Sequence, residues 1–296
     1  MNANPSAGRA PAAAAQIRIR PLTGALGCEI EGVDLANLDD AQFAQVHAAY
    51  LEHSVLVFHD QRLDEAALAA FGRRFGRLEE EPFLPLRAET EGVYQLRGAG
   101  KNEQRLSTQN LGWHVDHSYQ KNPSLGAVLY AVDVPEAGGD TLFANMQLAY
   151  EGLSAPMQQF LSGLTGIHDV LHYGVNSGHH SISTQAGLER LTQARARFPQ
   201  TEHPLVCTHP ETGRKILYIN KGWTSAIKEL RPAESRAVLA MLNEHALQPI
   251  YQCRVRYRNG TVCMWDNRCV QHSPNSDYSS PRHMLRVALH SDWVPS

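Results

Sequence analysis

Hydrophobic and polar positions change period several times along this chain, and each change predicts an element. Residues 17–34 (IRIRPLTGALGCEIEGVD) alternate apolar and polar around Gly24 and Gly27, the pattern of a β-hairpin. Asp39 or Asp40 is placed to cap a helix through about Glu52, with Phe43, Val46, Tyr50 and Leu51 as its apolar stripe. SVLVFHD (54–60) predicts a buried strand. Asp64 then caps a second helix to about Phe75, which Gly76 stops. Further strands are predicted at 92–97, 125–134 and 141–144, and one helix over 147–163. LVCTH (205–209) and KILYIN (215–220) flank PETG as a hairpin. Helical period returns over 232–247, and the C-terminal stretch reads as the strands IYQCRVRYR, TVCMWDN and HMLRVALHSDW.

Strands at both ends with helices interleaved, but no βαβ rhythm, argue against a parallel dinucleotide-binding sheet. No G-x-G-x-x-G or P-loop fingerprint is present. The predicted class is α+β, mainly β: a two-sheet antiparallel barrel or a jelly-roll (double-stranded β-helix) core packed by helices. The stretch 171–203 is polar and rich in Gly and His, with a helical part at 185–197, and is expected to be a long lid insertion. Residues 1–16 (MNANPSAGRAPAAAAQ) are small, Pro-containing and aperiodic, so a disordered leader is expected, followed by a single domain over 17–296.

Composition narrows the function. Hydrophobic residues at 43% and charged residues at 19% suit a globular chain with a substantial core. A net charge of −3 supplies no general attraction to nucleic acid or acidic membranes. No apolar run approaches the roughly 20 residues that span a bilayer. The leader is too short in apolar residues for a secretory signal. Cys28, Cys207, Cys253, Cys263 and Cys269 are scattered and odd in number, as in a cytoplasmic protein with reduced thiols.

Candidate chemistry centres on Trp113-His114-Val115-Asp116. On a strand, residues two apart project from one face, so His114 and Asp116 would offer an imidazole and a carboxylate together. His272, in WDNRCVQHSPNSDY, is the best third ligand. Two His and one carboxylate on one face of an octahedron leave three positions open, the arrangement of non-haem Fe(II) oxygenases. H-x-D alone is a weak signal in a chain with 15 His. A second feature strengthens it. If 282–290 is a strand, Arg282, Met284, Arg286 and Ala288 share a face, and two guanidiniums there can meet carboxylates. A solvated basic strand would show the same pattern. A zinc hydrolase on the same three ligands and a non-catalytic binding protein are the competing classes.

The chain resembles the taurine/2,4-D-type branch of Fe(II)/2-oxoglutarate-dependent dioxygenases. The resemblance runs from PLTGALGCEIEGVDL through FGRRFG, WHVDHSY, VPEAGGDTLFANM and HPLVCTHPETGRKILYIN to MWDNRCVQHSPNSDYSSPRHMLR. It implies that His114, Asp116 and His272 ligate Fe(II), and that Thr141 and Arg282 hold 2-oxoglutarate. Arg286 falls near the co-substrate and, in some members, near an anionic group of the substrate. With O2, such enzymes hydroxylate an unactivated C–H bond of a small, often anionic substrate and release succinate and CO2. Desaturation, or cleavage of a C–N, C–O or C–S bond after hydroxylation, is the alternative outcome. A carboxylate at Asp116 favours hydroxylation over halogenation. Family members often form homo-oligomers, dimers or tetramers. The resemblance points to Asn110 and Trp223 as substrate contacts, with Glu81, His117, Tyr119, Tyr173 and Lys221 as further pocket candidates. Taurine enzymes carry a His where this chain has Glu81, and a carboxylate there would repel a sulfonate. Asp266 and Asn267 are candidates for shaping the metal region.

Overall fold

The N-terminal alternation builds the expected hairpin, β1 (Arg18–Pro21) antiparallel to β2 (Cys28–Glu31). The computed structural model describes residues 17–81, 88–98, 112–172 and 185–296. The expected leader and most of the first half of the expected insertion lie outside the described residues. Helix α1 (Asp40–His53) starts where Asp39 accepts from the Gln42 N–H and the Gln42 side chain returns a bond to the Asp39 backbone. Strand β3 (Val55–Phe58) follows, then helix α2 (Glu65–Arg73), capped by Asp64 on the Ala67 N–H. Next come β4 (Leu78–Glu79), β5 (Val93–Gly98), β6 (Gly126–Asp133) and β7 (Thr141–Asn145).

The helix expected over 147–163 is two, α3 (Met146–Glu151) and α4 (Ala155–Leu161). Gly152 ends the first, and the second restarts at Ser154 with Pro156 in its first turn, where a missing N–H costs nothing. Strands β8 (Thr165–His168), β9 (Thr201–Pro204), β10 (Val206–Thr208), β11 (Lys215–Leu217) and β12 (Thr224–Ile227) surround helix α5 (Gln185–Arg197) in sequence. Helix α6 (Pro232–Ala246) precedes β13 (Gln252–Val255), β14 (Val262–Asp266), β15 (Val270–Pro274) and β16 (Arg282–Leu289).

Strands with apolar residues at nearly every position are buried on both faces, and they form the middle of an eight-stranded sheet. Its order is β1-β2-β3-β14-β6-β16-β4, with β5 also paired to β16. Pairing is antiparallel throughout except between β2 and β3. Alternate residues divide the faces. Leu56, Phe58, Val128, Val262, Met264 and Val287 join Val46, Tyr50, Leu68 and Phe71 of α1 and α2 in one core. Val55, Val57, Ala127, Leu129, Trp265 and Met284 join the other. There they meet Phe143, Val255 and Val270 of a second, three-stranded sheet ordered β13-β7-β15. Burying side chains of this size stabilises by about 1.5–3 kcal/mol each. The two sheets thus enclose a core whose rim carries the functional residues.

Candidate metal and co-substrate site

His272 sits in the middle of β15, paired with Phe143 of β7, and its ring lies 4.7 Å from the Trp265 ring. His114 is drawn to it by backbone bonds in both directions: the His114 N–H donates to the His272 carbonyl at 3.0 Å and the reverse bond is 2.9 Å. The strand expected over 114–116 is not observed. His114 forms a single bridge, and Asp116 opens a turn in which His117 has φ 54°. The carboxylate therefore reaches the imidazoles by a backbone turn rather than by strand alternation. Residues 220–223 brace this turn. The Gly222 N–H donates to Trp113, the Trp223 indole N–H donates to the Val115 carbonyl at 2.8 Å, and Asn220 donates to Ser118 Oγ at 2.9 Å.

The three side chains converge. His114 Nε2 and His272 Nε2 lie 3.6 and 3.7 Å from Asp116 Oδ1, and ligand atoms of all three lie within 4.8 Å of one another. Separations of 3.6 and 3.7 Å let each imidazole nitrogen and the carboxylate oxygen lie about 2.1 Å from a shared ion. Their chemistry also fits a divalent metal. His114 Nδ1 lies 2.9 Å from the Gly112 carbonyl, a contact that requires the proton on Nδ1 and leaves the Nε2 lone pair for a metal. Burial, reinforced by His114 alongside, holds the His272 imidazole well below its ordinary pKa, hence neutral. Asp116 remains a carboxylate. Burial opposes its charge, but the Arg286 guanidinium outweighs burial and holds it well below the usual range.

Partners fix which oxygen of Asp116 faces the imidazoles. Oδ2 accepts from Arg286 at 2.8 Å and from Asn267 Nδ2 at 3.1 Å, leaving Oδ1 toward His114 and His272. Asn267 is itself oriented by the Trp265 indole N–H at 3.0 Å. Asn267 thus shapes the metal region, whereas Asp266 does not contact the ligands. Asp266 belongs to a separate buried network with Arg268 and His209, extended by Glu211. His209, Asp266 and Cys269 lie close enough to hold a metal, but His209 Nδ1 accepts two backbone N–H groups and its Nε2 donates to Asp266, so no imidazole lone pair remains.

The sequence-predicted substrate residues divide. Glu81 is buried in ion pairs, not solvated: it meets Arg286 Nε at 2.5 Å and His117 Nε2 at 3.1 Å, while His117 Nδ1 lies 3.2 Å from Glu79. Burial would raise the Glu81 carboxyl, yet Arg286 and then His117 hold it down at about 2. Burial likewise opposes a charge on His117, but Glu81 and then Glu79 push it up to about 10. The expected repulsion of a sulfonate by Glu81 is therefore weakened, because its charge is matched internally. Tyr119 and Trp223 meet edge to face at 4.7 Å in an aromatic cluster with Val170 and Phe198. Lys221 is exposed. Asn110 and Tyr173 lie outside the described residues. All five cysteines are free and buried.

A second cluster flanks the first. Arg282, Met284 and Arg286 do share the inward face of β16: Met284 lies in the inter-sheet core, and the Arg286 guanidinium lies 5.5 Å from the Trp265 ring centre. Arg282 donates to the Gly139 carbonyl at 3.0 Å, and its Nε is buried with no hydrogen-bond partner among the described residues. Gly138 and Gly139, at φ 83° and 73°, make the turn that presents this carbonyl, a conformation other residues rarely adopt. Thr141 opens β7, and its Oγ1 accepts from the Tyr257 hydroxyl at 3.1 Å. Tyr257 was not singled out by sequence; the alternating RVRYR run shows only that it sits in or beside a strand.

Known proteins with this chemistry match along nearly the whole chain. The family described as "Taurine catabolism dioxygenase TauD, TfdA family" matches residues 18–288. An (S)-phenoxypropionate/alpha-ketoglutarate-dioxygenase of Sphingobium herbicidovorans is 37% identical over 275 residues, 93% of this chain and 95% of that protein. The alpha-ketoglutarate-dependent 2,4-dichlorophenoxyacetate dioxygenase of Cupriavidus pinatubonensis is 34% identical, covering 93% and 98%. A crystal structure of a taurine dioxygenase from Burkholderia xenovorans superposes with a TM-score of 0.79 at 33% identity, covering 94% of this chain and 90% of the other. AAD-2, solved with Mn(II) and N-oxalylglycine, gives 0.78 at 28% identity, covering 95% and 100%. By the extent of these matches, the chain belongs to the TauD/TfdA family of dioxygenases.

Proposed function

We propose that this protein is an Fe(II)- and 2-oxoglutarate-dependent dioxygenase that hydroxylates an unactivated C–H bond of a small, anionic organic substrate. The observation that carries the reading is the convergence of His114 Nε2, His272 Nε2 and Asp116 Oδ1 across a bridge between two distant segments. These three would hold the iron. When bound, iron supplies the redox chemistry by which O2 converts 2-oxoglutarate to succinate and CO2 and leaves a hydroxyl on the substrate. The chain supplies geometry. Asn267 and Arg286 fix the Asp116 carboxylate. Thr141 and Arg282 would bind the far carboxylate of 2-oxoglutarate, the guanidinium through charge-assisted bonds. Phe143 and Trp265, both essentially buried, close the inner side against water.

The two sheets support reading the core as a jelly roll within a single domain over 17–296. Glu81, His117, Tyr119 and Trp223 would line the substrate side. No helix among the described residues is long and apolar enough to cross a membrane. A cytoplasmic enzyme that acts on a small molecule without nucleic acid or membrane, as a dimer or tetramer, completes the proposal. The test is succinate release from 2-oxoglutarate with Fe(II), across small sulfonates, sulfate esters and aryloxy acids. One compound should accelerate release, and His272→Ala should abolish it. Undiminished iron-dependent turnover in His272→Ala would remove His272 from the metal site.

A further inference from the structure

We infer that Tyr257 is a positioning residue that sets both arms of the clamp for the far carboxylate of the co-substrate. The inference rests on the reading that Thr141 and Arg282 receive that carboxylate.

Tyr257 is only 5% exposed and lies two residues beyond β13, whose Val255 pairs with Thr141. Its hydroxyl donates to Thr141 Oγ1 at 3.1 Å. A threonine hydroxyl has one hydrogen and two lone pairs. With a lone pair engaged by Tyr257, the Thr141 hydrogen is left to be given elsewhere, which is what a carboxylate acceptor requires. Burial keeps the phenol protonated, so it retains a hydrogen to donate. Thr141 is also β-branched and held on a strand, so its hydroxyl has few rotamers in which to stray.

The same ring faces the other arm. The Arg282 guanidinium lies 5.5 Å from the Tyr257 ring centre and 5.6 Å from that of Tyr278, so two aromatic rings flank it. One terminal nitrogen is tied to the Gly139 carbonyl, while Nε is buried and unmatched among the described residues. The guanidinium is thus steered by its surroundings before a ligand arrives, with donor capacity to spare. Gly139 packs against it: a Cβ there would lie 3.4 Å from Arg282 Nε, and its φ of 73° disfavours other residues. A single side chain therefore touches a hydroxyl on β7 and a guanidinium on β16, and links the two sheets at the clamp.

The test is calorimetric titration of Mn(II)-loaded protein with 2-oxoglutarate and with 2-oxobutanoate, which has the same oxo-acid head but no far carboxylate. Wild type should prefer 2-oxoglutarate, and Arg282→Leu should lose most of that preference. Tyr257→Phe should weaken 2-oxoglutarate roughly fivefold, the worth of about one hydrogen bond, and leave 2-oxobutanoate unchanged. Tyr257→Leu, which also removes the ring, should weaken 2-oxoglutarate further. Wild-type preference retained in Tyr257→Phe overturns the inference while leaving the clamp intact. Equal losses for both acids in either Tyr257 variant also overturn it, because they mark general damage. Preference retained in Arg282→Leu overturns the clamp reading itself.

Discussion

Asn267→Ala should separate holding the metal from holding the fold. Asn267 is fully buried and spans two functions. Its Oδ1 accepts the Trp265 indole N–H at 3.0 Å, and its Nδ2 donates to Asp116 Oδ2 at 3.1 Å. Truncation leaves the indole N–H in a dry core without a partner, which costs about 1–3 kcal/mol. It also frees one side of the Asp116 carboxylate, and loss of such an orienting partner typically weakens metal binding by about 10–100-fold. Urea unfolding of the metal-free protein reads the first effect, and calorimetric titration with Mn(II) reads the second. A Trp265→Phe background removes the orphaned donor. Asn267→Ala should there lose most of its stability cost but keep its metal defect. Wild-type Mn(II) affinity in Asn267→Ala would refute the claim that this amide orients the ligand.

Other outcomes follow from the buried charges. Arg268→Met strands Asp266 in the core with the loss of a paired guanidinium, so metal-free stability should fall by about 3–5 kcal/mol in urea, with Mn(II) affinity unchanged. His203 is held down to about 4 by burial, so the unfolded chain takes up its proton first. The folded state is therefore at full advantage above about pH 6.5 and loses up to about 3 kcal/mol as pH falls toward 4. His203→Gln should flatten that part of the wild-type stability curve, and coincident slopes between pH 7 and 4.5 would contradict it.

Local signals were readable where local physics decides the structure. Asp39 and Asp64 cap their helices because a short acceptor before an apolar stripe satisfies exposed N–H groups wherever it occurs. The alternation of Arg282, Met284 and Arg286 likewise specified one face of a strand. The clustered side chains of His114, Asp116 and His272 were legible as residue types, but the route that brings Asp116 to the two imidazoles was not. The turn at 116–119 depends on bonds from Asn220, Gly222 and Trp223, which no local pattern announces. The Glu79-Glu80-Glu81 run gives no local sign of burial for the same reason. Glu81 is buried because cations arrive from His117 and Arg286, far along the chain. Tyr257 carries no local signal because a tyrosine in an alternating stretch is ordinarily packing, and its partners Thr141 and Arg282 lie on strands distant in sequence.

The position of the last strands carries a consequence for how the chain matures. β14 lies between β3 and β6, and β16 lies between β6 and the β4–β5 edge, so the C-terminal segments are inserted into the middle of the sheet. A nascent chain lacking them has apolar strands with bare edges on either side of two gaps, and no counterpart for His114. Such long-range pairing is slow to form and exposes sticky surface while it waits. Production of this protein should therefore be sensitive to C-terminal truncation and to chaperone supply well before catalysis is ever tested.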